Sequence, residues 1–326
     1  MTAGAVQEHR PTTREEAEAA RQRIKGVAVR TPLVALESDT PGDIRLKLEN
    51  LQPIGSFKIR GAANAMLQLP REVLRDGVWT ASAGNMAQGV AWCARAAGIA
   101  CTVVVPDTAS EAKLAAVRRL GARIESAPIA EFFETFASRS RPGIRGQFVH
   151  AFSDPAVMAG NGTIALEILE DLPQVQAIYV PYGGGGLSCG IAAVVRAVAP
   201  HVRVIACEPE TAAPLTASLA ARSVQPAAYA PSFVDGAGAP RLYAEMFALA
   251  KTLIDESVAV SLSDVAAAVR LLAERNHVIA EGAGALSVAA ALSRPQPGLV
   301  ACVVSGGSIG AAWLSTILAG GVPAVP

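Results

Sequence analysis

Lysine is scarce in this chain. Only five of its 28 basic residues are lysines, namely Lys25, Lys47, Lys58, Lys113 and Lys251. Acidic residues also number 28, so the net charge is zero. A neutral chain lacks the positive potential that attracts nucleic acid or an anionic membrane. The composition therefore favours a small-molecule ligand over nucleic acid or membrane as the partner.

Cysteine pairs and long apolar runs are also missing. The five cysteines form no Cys-x-x-Cys pair, which predicts reduced, buried thiols rather than a disulfide or zinc framework. Residues 1–14 are polar and mixed in charge, so we expect no signal peptide and a cytoplasmic location. No Asp, Glu, Lys or Arg follows Arg294. Prolines and glycines interrupt that stretch, however, and exclude a membrane span of ~20 apolar residues.

Predicted strands and helices alternate along the 326 residues. Thr13 and Glu16 form a capping-box pattern at the start of the first helix. The main predicted strands are residues 44–48, 78–80, 101–106, 123–126, 147–151, 177–181, 202–207 and 299–304. A helix is predicted around residues 163–169. This alternation predicts an α/β fold with two lobes, each a mostly parallel twisted sheet flanked by helices. Ligands of such sheets bind at the carboxyl ends of strands.

Lys58 lies in the run Gly55-Ser56-Phe57-Lys58-Ile59-Arg60-Gly61. An amine that apolar neighbours desolvate loses its proton readily and becomes a nucleophile, which a guanidinium cannot do. Lys58 is therefore a Schiff-base candidate. The alternative is a surface lysine whose stem covers apolar residues while its ammonium reaches water. Lys47 illustrates that alternative, because alternation with aliphatic residues predicts an exposed strand face shared by Arg45, Lys47 and Glu49.

Four consecutive glycines, Gly183, Gly184, Gly185 and Gly186, stand between a predicted strand and a helix that starts with Leu187. Small residues let backbone N–H groups converge on an anion at a helix N-terminus, and phosphate is the natural guest. The turn does not end in Gly-Lys-Ser/Thr, as an NTP-binding P-loop would. It is also not followed, about twenty positions later, by an acidic residue in a dinucleotide pattern, so a Rossmann fingerprint is not supported either. A tight strand–helix turn without a ligand is the alternative.

Two further turns join a strand to a helix. In Thr80-Ala81-Ser82-Ala83-Gly84-Asn85-Met86, free N–H groups, the Ser82 hydroxyl and the Asn85 amide could hold a carboxylate. In Val303-Val304-Ser305-Gly306-Gly307-Ser308, Ser305 could direct its hydroxyl at a ring nitrogen. Alone, each pattern is equally typical of an ordinary cap or turn.

Together, these four segments in this order resemble the fold type II pyridoxal-phosphate (PLP) enzymes, and most closely the serine/threonine dehydratase (threonine ammonia-lyase) group. The resemblance extends through Ala159-Gly160-Asn161-Gly162-Thr163 and Ile279-Ala280-Glu281-Gly282. It implies a fold like that of the tryptophan synthase β subunit. It further implies a large PLP-binding domain of residues 1–68 and 152–326. Residues 69–151 would form a small inserted domain that carries the substrate-carboxylate loop.

The resemblance also implies roles for single residues. Lys58 would hold the cofactor as an imine and later act as base on the substrate's α-proton, and Phe57 would pack near the cofactor. Asn85 would bind the cofactor's phenolic oxygen, and Ser305 would face its pyridine nitrogen. Residues Gly183 to Leu187 would wrap its phosphate. The substrate would lie against Ser82, Ala83, Gly84, Asn85 and Met86. Glu281 would be buried near the cofactor, or would be an ordinary helix-start carboxylate.

The implied reaction is β-elimination of a β-hydroxy amino acid, such as threonine or serine, to a 2-oxo acid and ammonia. A neutral Ser305 hydroxyl would leave the cofactor ring a mild electron sink, which suits elimination better than transamination. An amino-acid racemase of the same family is one alternative, although such racemases carry a second serine where this chain has Ala83. A protein that binds PLP or an amino acid without catalysis is another.

Two positions depart from the family pattern. Met86 stands where a histidine is common, so we expect a flexible apolar group beside the substrate. Glu208 could be a ligand of a divalent cation, but the expected acidic partner is replaced by Pro214.

Relatives of this kind are typically homodimers.

Overall fold

The structure is a computed structural model that describes residues 9–40 and 42–325. In these ranges the strands are β1 (Leu33–Ala35), β2 (Asp43–Leu48), β3 (Val78–Ala81), β4 (Cys101–Pro106), β5 (Arg123–Ala127), β6 (Gln147–Phe148), β7 (Ala177–Pro181), β8 (Arg203–Pro209), β9 (Glu256–Val260) and β10 (Leu299–Val304).

The helices of the same ranges are α1 (Arg14–Arg23), α2 (Lys58–Leu67), α3 (Arg71–Leu74), α4 (Asn85–Ala97), α5 (Glu111–Arg119), α6 (Ile129–Ser138), α7 (Pro155–Asp171), α8 (Gly186–Val198), α9 (Pro214–Ala221), α10 (Ala244–Leu253), α11 (Leu262–Arg275), α12 (Gly282–Ser293) and α13 (Ala311–Leu318). A short 3₁₀ turn, Glu49–Leu51, follows β2. The predicted capping box of Thr13 and Glu16 begins α1.

The strands form two sheets. The larger has the order β1-β2-β10-β7-β8-β9, and the smaller has the order β5-β4-β3-β6. Only β1 runs antiparallel to its neighbour, and the other described pairs are parallel. The prediction of an α/β fold with mostly parallel sheets is therefore confirmed. The smaller sheet spans residues 78–148, inside the predicted small domain, whose limits stay a prediction.

Helix α7 is longer than the sequence pattern predicted, because it begins at Pro155 rather than near residue 163. The Asp154 carboxylate accepts hydrogen bonds from the N–H groups of Ala156 and Val157. Asp followed by Pro is thus a helix start here, since Pro fits the first helical position. Strand β6 is correspondingly shorter than predicted, ending at Phe148.

Helices cover both faces of the larger sheet and bury its apolar side chains. One core cluster contains residues of α7, α8 and α10, and a second contains residues of α11 and α12. All five cysteines are free and buried within this structure, as predicted. Among the described helices, none has the length and apolar character needed to cross a bilayer.

The prediction for Lys47 is wrong. Its side chain is fully buried, and so is that of Glu49, whereas Arg45 is only partly covered. The Lys47 ammonium lies 2.6 Å from Glu167 on α7 and donates to the Thr31 carbonyl at 2.7 Å. Alternation of charged and aliphatic residues indicated a solvent-exposed strand face. The opposite charge of Glu167, 120 positions away, makes the burial of Lys47 possible.

Arg60 completes this buried ion network two residues after Lys58. Its guanidinium lies between two carboxylates: it donates twice to Glu49 at 2.8 Å, and to Glu167 at 2.7 and 2.8 Å. Thr163 and the Val29 carbonyl accept two more bonds at 3.0 Å. Bidentate geometry with satisfied donors is what a buried charge requires. The network fixes the start of α2 against β2 and α7.

We predict that Arg60→Met lowers the free energy of unfolding by about 3–5 kcal/mol, because two buried carboxylates lose their shared counter-charge. Chemical denaturation of the full-length protein measures the loss. The matched control is Arg270→Met, which removes an exposed pair with Glu274 on α11 and should cost under about 0.5 kcal/mol. Equal losses for the two variants would contradict the buried network.

Candidate active site

The lysine segment is held against the turn that follows β10. Ser56 and Gly306 form an isolated antiparallel bridge. The Phe57 N–H donates to the Ser305 carbonyl at 3.0 Å, and the Gly307 N–H donates to the Gly55 carbonyl at 2.9 Å. Two motifs about 250 positions apart are therefore joined by main-chain hydrogen bonds. This places Lys58, the first residue of α2, at the carboxyl end of the larger sheet.

The Lys58 amine is partly buried in an apolar setting. It donates to the Ala151 carbonyl at 2.8 Å and lies 5.0 Å from the centroid of the Phe57 ring. Burial lowers the pKa of Lys58 to about 8, against an opposing effect of Glu281. Near neutral pH a useful fraction of this amine is uncharged and able to act as a nucleophile.

The four-glycine turn is built for close approach of main chain and ligand. Gly185 has φ +89°, which favours glycine, and it precedes α8 without a side-chain cap. A Cβ on Gly184 would overlap the Phe152 ring, and one on Gly186 would lie 2.7 Å from the Phe152 Cα. A Cβ on Gly183 would approach the Ala237 Cα to 3.3 Å. Leu187 follows in the first turn of α8, where free N–H groups favour an anion.

Lys58 and the glycine turn share one structural neighbour. The carbonyl of Ala151 accepts from Lys58, and the next residue, Phe152, packs on Gly184 and Gly186. The predicted nucleophile and the predicted phosphate turn therefore flank the same two-residue segment. Sequence analysis did not single out this segment, because it carries no glycine or charged motif of its own.

The predicted carboxylate loop connects β3 to α4. A Cβ on Gly89 of α4 would lie 3.3 Å from the Lys58 carbonyl, so α4 and α2 pack closely with Asn85 and Lys58 at their N-terminal ends. Residues Ser82, Ala83, Gly84 and Asn85 are partly exposed. The Ser82 hydroxyl accepts from the Gly84 N–H at 3.2 Å, which keeps the loop tight.

Met86 is placed differently from what the sequence suggested. Its side chain is 1% exposed and belongs to the apolar core beneath the smaller sheet. The second position of α4 points into that core, so an apolar residue fits there. Any contact of Met86 with a substrate would therefore involve its backbone N–H rather than its thioether.

The turn after β10, which contains Ser305, lies against the start of α12, where Glu281 is the N-cap. Ser305 is buried, and its hydroxyl donates to the Ala283 carbonyl at 3.4 Å. The Glu281 N–H donates to the Gly306 carbonyl at 3.0 Å. The Asn85 amide donates to the Glu281 carboxyl at 2.8 Å. Burial, together with the nearby Asp235, raises the pKa of Glu281 to about 7.

A cleft of about 730 Å³ opens between the two lobes, and the residues that line it include neighbours of the predicted site in the sequence. Its walls include Ala83 of the carboxylate loop, Ala237 beside Gly183, and Ser308 of the serine-glycine turn. Lys113 of α5 and Asp235 form an ion pair across it. No local pattern in the sequence connects residues 122 positions apart, so this pair was not predicted.

Glu208 is engaged by the protein itself. Its carboxyl accepts from the N–H groups of Leu215 and Thr216 at 2.9 and 2.8 Å, and from Ser257 at 3.1 Å. Within the described residues, no group of three or more His, Cys, Asp or Glu side chains could hold a metal ion. A cation role for Glu208 stays untested, and it would compete with the start of α9.

Known proteins share this arrangement. A family model described as pyridoxal-phosphate dependent enzyme matches residues 24–306. The chain belongs to that family. An L-threonine ammonia-lyase of Thermotoga maritima is 41% identical over 313 residues, which cover 94% of this chain and 78% of the relative. The enzyme is therefore PLP-dependent, as the resemblance implied.

Two solved structures are similar throughout. The processed form of threonine deaminase isoform 2 from Solanum lycopersicum has a TM-score of 0.83 at 30% identity, covering 98% of this chain and 98% of the other. A maize serine racemase has a TM-score of 0.86 at 29% identity, covering 94% and 97%. Lyases and racemases thus share this scaffold, and the fold alone does not choose between them.

The residues present fit pyridoxal phosphate. Phe152 leaves no room for side chains at Gly184 and Gly186, and α8 begins at this turn without a side-chain cap, so its first N–H groups could serve a phosphate. Lys58 has an amine with a lowered pKa, which could react with the aldehyde. The buried Ser56 hydroxyl has no hydrogen-bond partner among the described residues, which marks polar space beside the lysine. The roles predicted for the single residues remain predictions, including those of Lys58, the turn from Gly183 to Leu187, the carboxylate loop, Phe57, Glu281 and Ser305.

We predict that Gly184→Ala destabilises the protein by about 1–3 kcal/mol and weakens PLP binding, because the added methyl group displaces Phe152. Thermal unfolding and a cofactor titration measure the two effects. Gly310→Ala is the matched control, since its Cβ would meet no atom within 4 Å and its φ is −69°. A Gly184→Ala variant that behaves like the control would refute the close packing.

The low pKa of Lys58 predicts the pH dependence of cofactor attachment. Below pH 8 the amine is mostly protonated, so the rate of attachment should rise through about pH 8 and level off near pH 9. Stopped-flow absorbance of cofactor-stripped protein mixed with PLP gives the profile. An ordinary lysine, with a pKa of about 10.4, would make the rate climb beyond pH 10; such a profile would disprove the shift.

Proposed function

We propose that this enzyme converts a β-hydroxy amino acid, threonine or serine, to a 2-oxo acid and ammonia. The observation that carries the proposal is the shared site, in which the Lys58 amine and the glycine turn flank Ala151 and Phe152. The 41% identity to an L-threonine ammonia-lyase supports threonine as substrate.

The chain's own residues supply binding and proton transfer. Bound PLP supplies an electron sink that makes the substrate's α-proton acidic. Lys58 would hold the cofactor through its side-chain amine, and the same amine, when free, would act as the base for the substrate's α-proton. Its pKa of about 8 makes this amine a competent base near neutral pH.

Substrate orientation comes from the loop before α4. Ser82, Asn85 and the N–H groups of the first turn of α4 would hold the substrate carboxylate, because that turn has no side-chain cap. Ala83 and Gly84 are small, so they would leave room for the substrate carboxylate to reach this loop. The hydroxyl of Ser305 would face the pyridine nitrogen, and a neutral partner leaves that nitrogen unprotonated, which favours elimination over transamination.

The racemase alternative has support from the serine racemase structure. Racemisation needs an acid–base group on the face opposite the lysine. At the loop position where such racemases carry a serine, this chain has Ala83, which cannot transfer a proton. Elimination is therefore the better supported activity. We further propose a homodimer in the cytoplasm, on the resemblance and the free cysteines.

We predict that Lys58→Ala abolishes the visible absorbance of the lysine-bound cofactor and lowers 2-oxo acid release on the order of 10³-fold or more, since nucleophile and base are lost together. The control is Lys251→Ala, an exposed lysine that should retain both. Lys47→Ala is unsuitable, because it leaves Glu167 unpaired in the core.

An assay of serine, threonine, 3-hydroxyaspartate and phenylserine as candidate substrates tests which one the enzyme converts. Release of 2-oxo acid and ammonia from one of them supports the lyase. Enantiomer exchange without ammonia would replace it with the racemase, and a yellow but inert protein would indicate binding without catalysis.

A further inference from the structure

Asn85 and Glu281 contact each other across the cleft between the lobes. Asn85 is the first residue of α4 beside the smaller sheet, and Glu281 directly precedes α12 on the larger sheet. The Asn85 Nδ2 atom donates to Glu281 Oε1 at 2.8 Å. Because the two residues are 196 positions apart, this contact exists only when both lobes are in place.

Glu281 gives up the usual role of a residue in its position. It is the N-cap of α12, yet its side chain makes no cap hydrogen bond. The side chains preferred at this position, those of Ser, Thr, Asp and Asn, accept from N–H groups of the first helical turn. Here the carboxyl instead extends away from the helix to the small lobe. Losing a cap costs stability, so the contact with Asn85 replaces a favourable local interaction.

Glycines give the Glu281 carboxyl its space and confine it. A Cβ on Gly306 would collide with Glu281 Oε1, and one on Gly236 would lie 3.6 Å from the same atom. The side chain is 8% exposed. The carboxyl is thus bounded by the serine-glycine turn on one side and by the 235–238 segment on another. Within this channel it reaches Asn85.

The two ends of an amide group differ chemically. The nitrogen of Asn85 carries two hydrogens, whereas its oxygen can only accept. A phenolic oxygen of a bound cofactor needs a donor. When one Nδ2 hydrogen is bound to Glu281, the Asn85 amide cannot turn over and present its oxygen to the cofactor. The second Nδ2 hydrogen is then the one left for a ligand.

We propose that Glu281 is a positioning residue that fixes the Asn85 amide with its donor end toward the cofactor. This inference rests on the proposed function, because it assigns Asn85 to the cofactor's phenolic oxygen. Glu281 acts through Asn85 and needs only an oxygen acceptor. A neutral carboxyl also offers an acceptor oxygen, although a carboxylate accepts the stronger hydrogen bond.

The charges around Glu281 explain why an acceptor role suits it. Burial and Asp235 raise the pKa of Glu281 to about 7, while the Asn85 hydrogen bond, Lys113 and Lys58 act in the opposite direction. The group therefore changes charge near neutral pH. A function that needs only its oxygen continues on both sides of that pH.

A double-mutant cycle tests the proposal. Full-length holoenzymes carrying Glu281→Met, Asn85→Ala or both are dialysed against decreasing PLP, and retained cofactor is read from its visible absorbance. We expect each single variant to raise the cofactor Kd about tenfold, and the double variant to be no weaker than Asn85→Ala alone. Glu281→Gln keeps the acceptor oxygen and should stay within about twofold of the unmodified protein. Glu274→Met on the exposed side of α11 is the matched control and should leave Kd unchanged.

Two outcomes would overturn the proposal. The losses of the single variants could multiply in the double variant, which would mean that Glu281 acts independently of Asn85. Glu281→Gln could lose as much affinity as Glu281→Met, which would mean that the charge matters. If Glu281→Met does not fold, Glu281→Ala takes its place in the same cycle with the same criteria. An unmodified protein that retains no PLP would instead refute the proposed function.

Discussion

The candidate site depends on one buried guanidinium. Arg60 lies between Glu49 and Glu167 with all its main donors satisfied, and Lys47 neutralises the second carboxylate. Charges buried in this way tolerate little displacement, since each leaves a partner uncompensated if it moves. Because Lys58 begins the same helix two residues earlier, the network that holds Arg60 also sets where the amine stands.

Glycine makes the other half of the site possible. Where Gly184 and Gly186 meet Phe152, and where Gly306 meets Glu281, neighbouring atoms occupy the position that a Cβ would need. These close approaches bring the start of α8, the turn after β10 and the 150–153 segment together around Lys58. Backbone N–H groups at the start of α8 would bind a phosphate there without introducing a titrating side chain.

The cleft is crossed by polar contacts that depend on the arrangement of both lobes. Lys113 pairs with Asp235, and Asn85 donates to Glu281. Both contacts join the helices of the smaller sheet to loops of the larger one. The residues of the first contact also shift the pKa of Glu281, because Asp235 raises it and Lys113 lowers it. The arrangement of the two lobes therefore affects both the ionisation of Glu281 and the orientation of the Asn85 amide.

Much of the fold was accessible from the sequence, since strand and helix patterns, glycine turns and caps are local. The strands around residues 44–48, 101–106, 177–181 and 299–304 were predicted nearly at their observed bounds. The start of α7 was missed because Asp154-Pro155 resembles a break as much as a beginning. The lysine segment and the three turns were recognisable because each needs particular small or polar residues in a fixed order.

The sequence by itself determined which residues have the chemistry for the site: an isolated lysine, a polyglycine turn, and serine and asparagine at strand–helix junctions. Only the tertiary structure decided that Lys47 is buried, that Met86 points into the core, and that Glu281 reaches Asn85 rather than its own helix. The physical reason is distance along the chain. A charge or an amide takes its environment from partners more than a hundred positions away, and no local pattern contains that information.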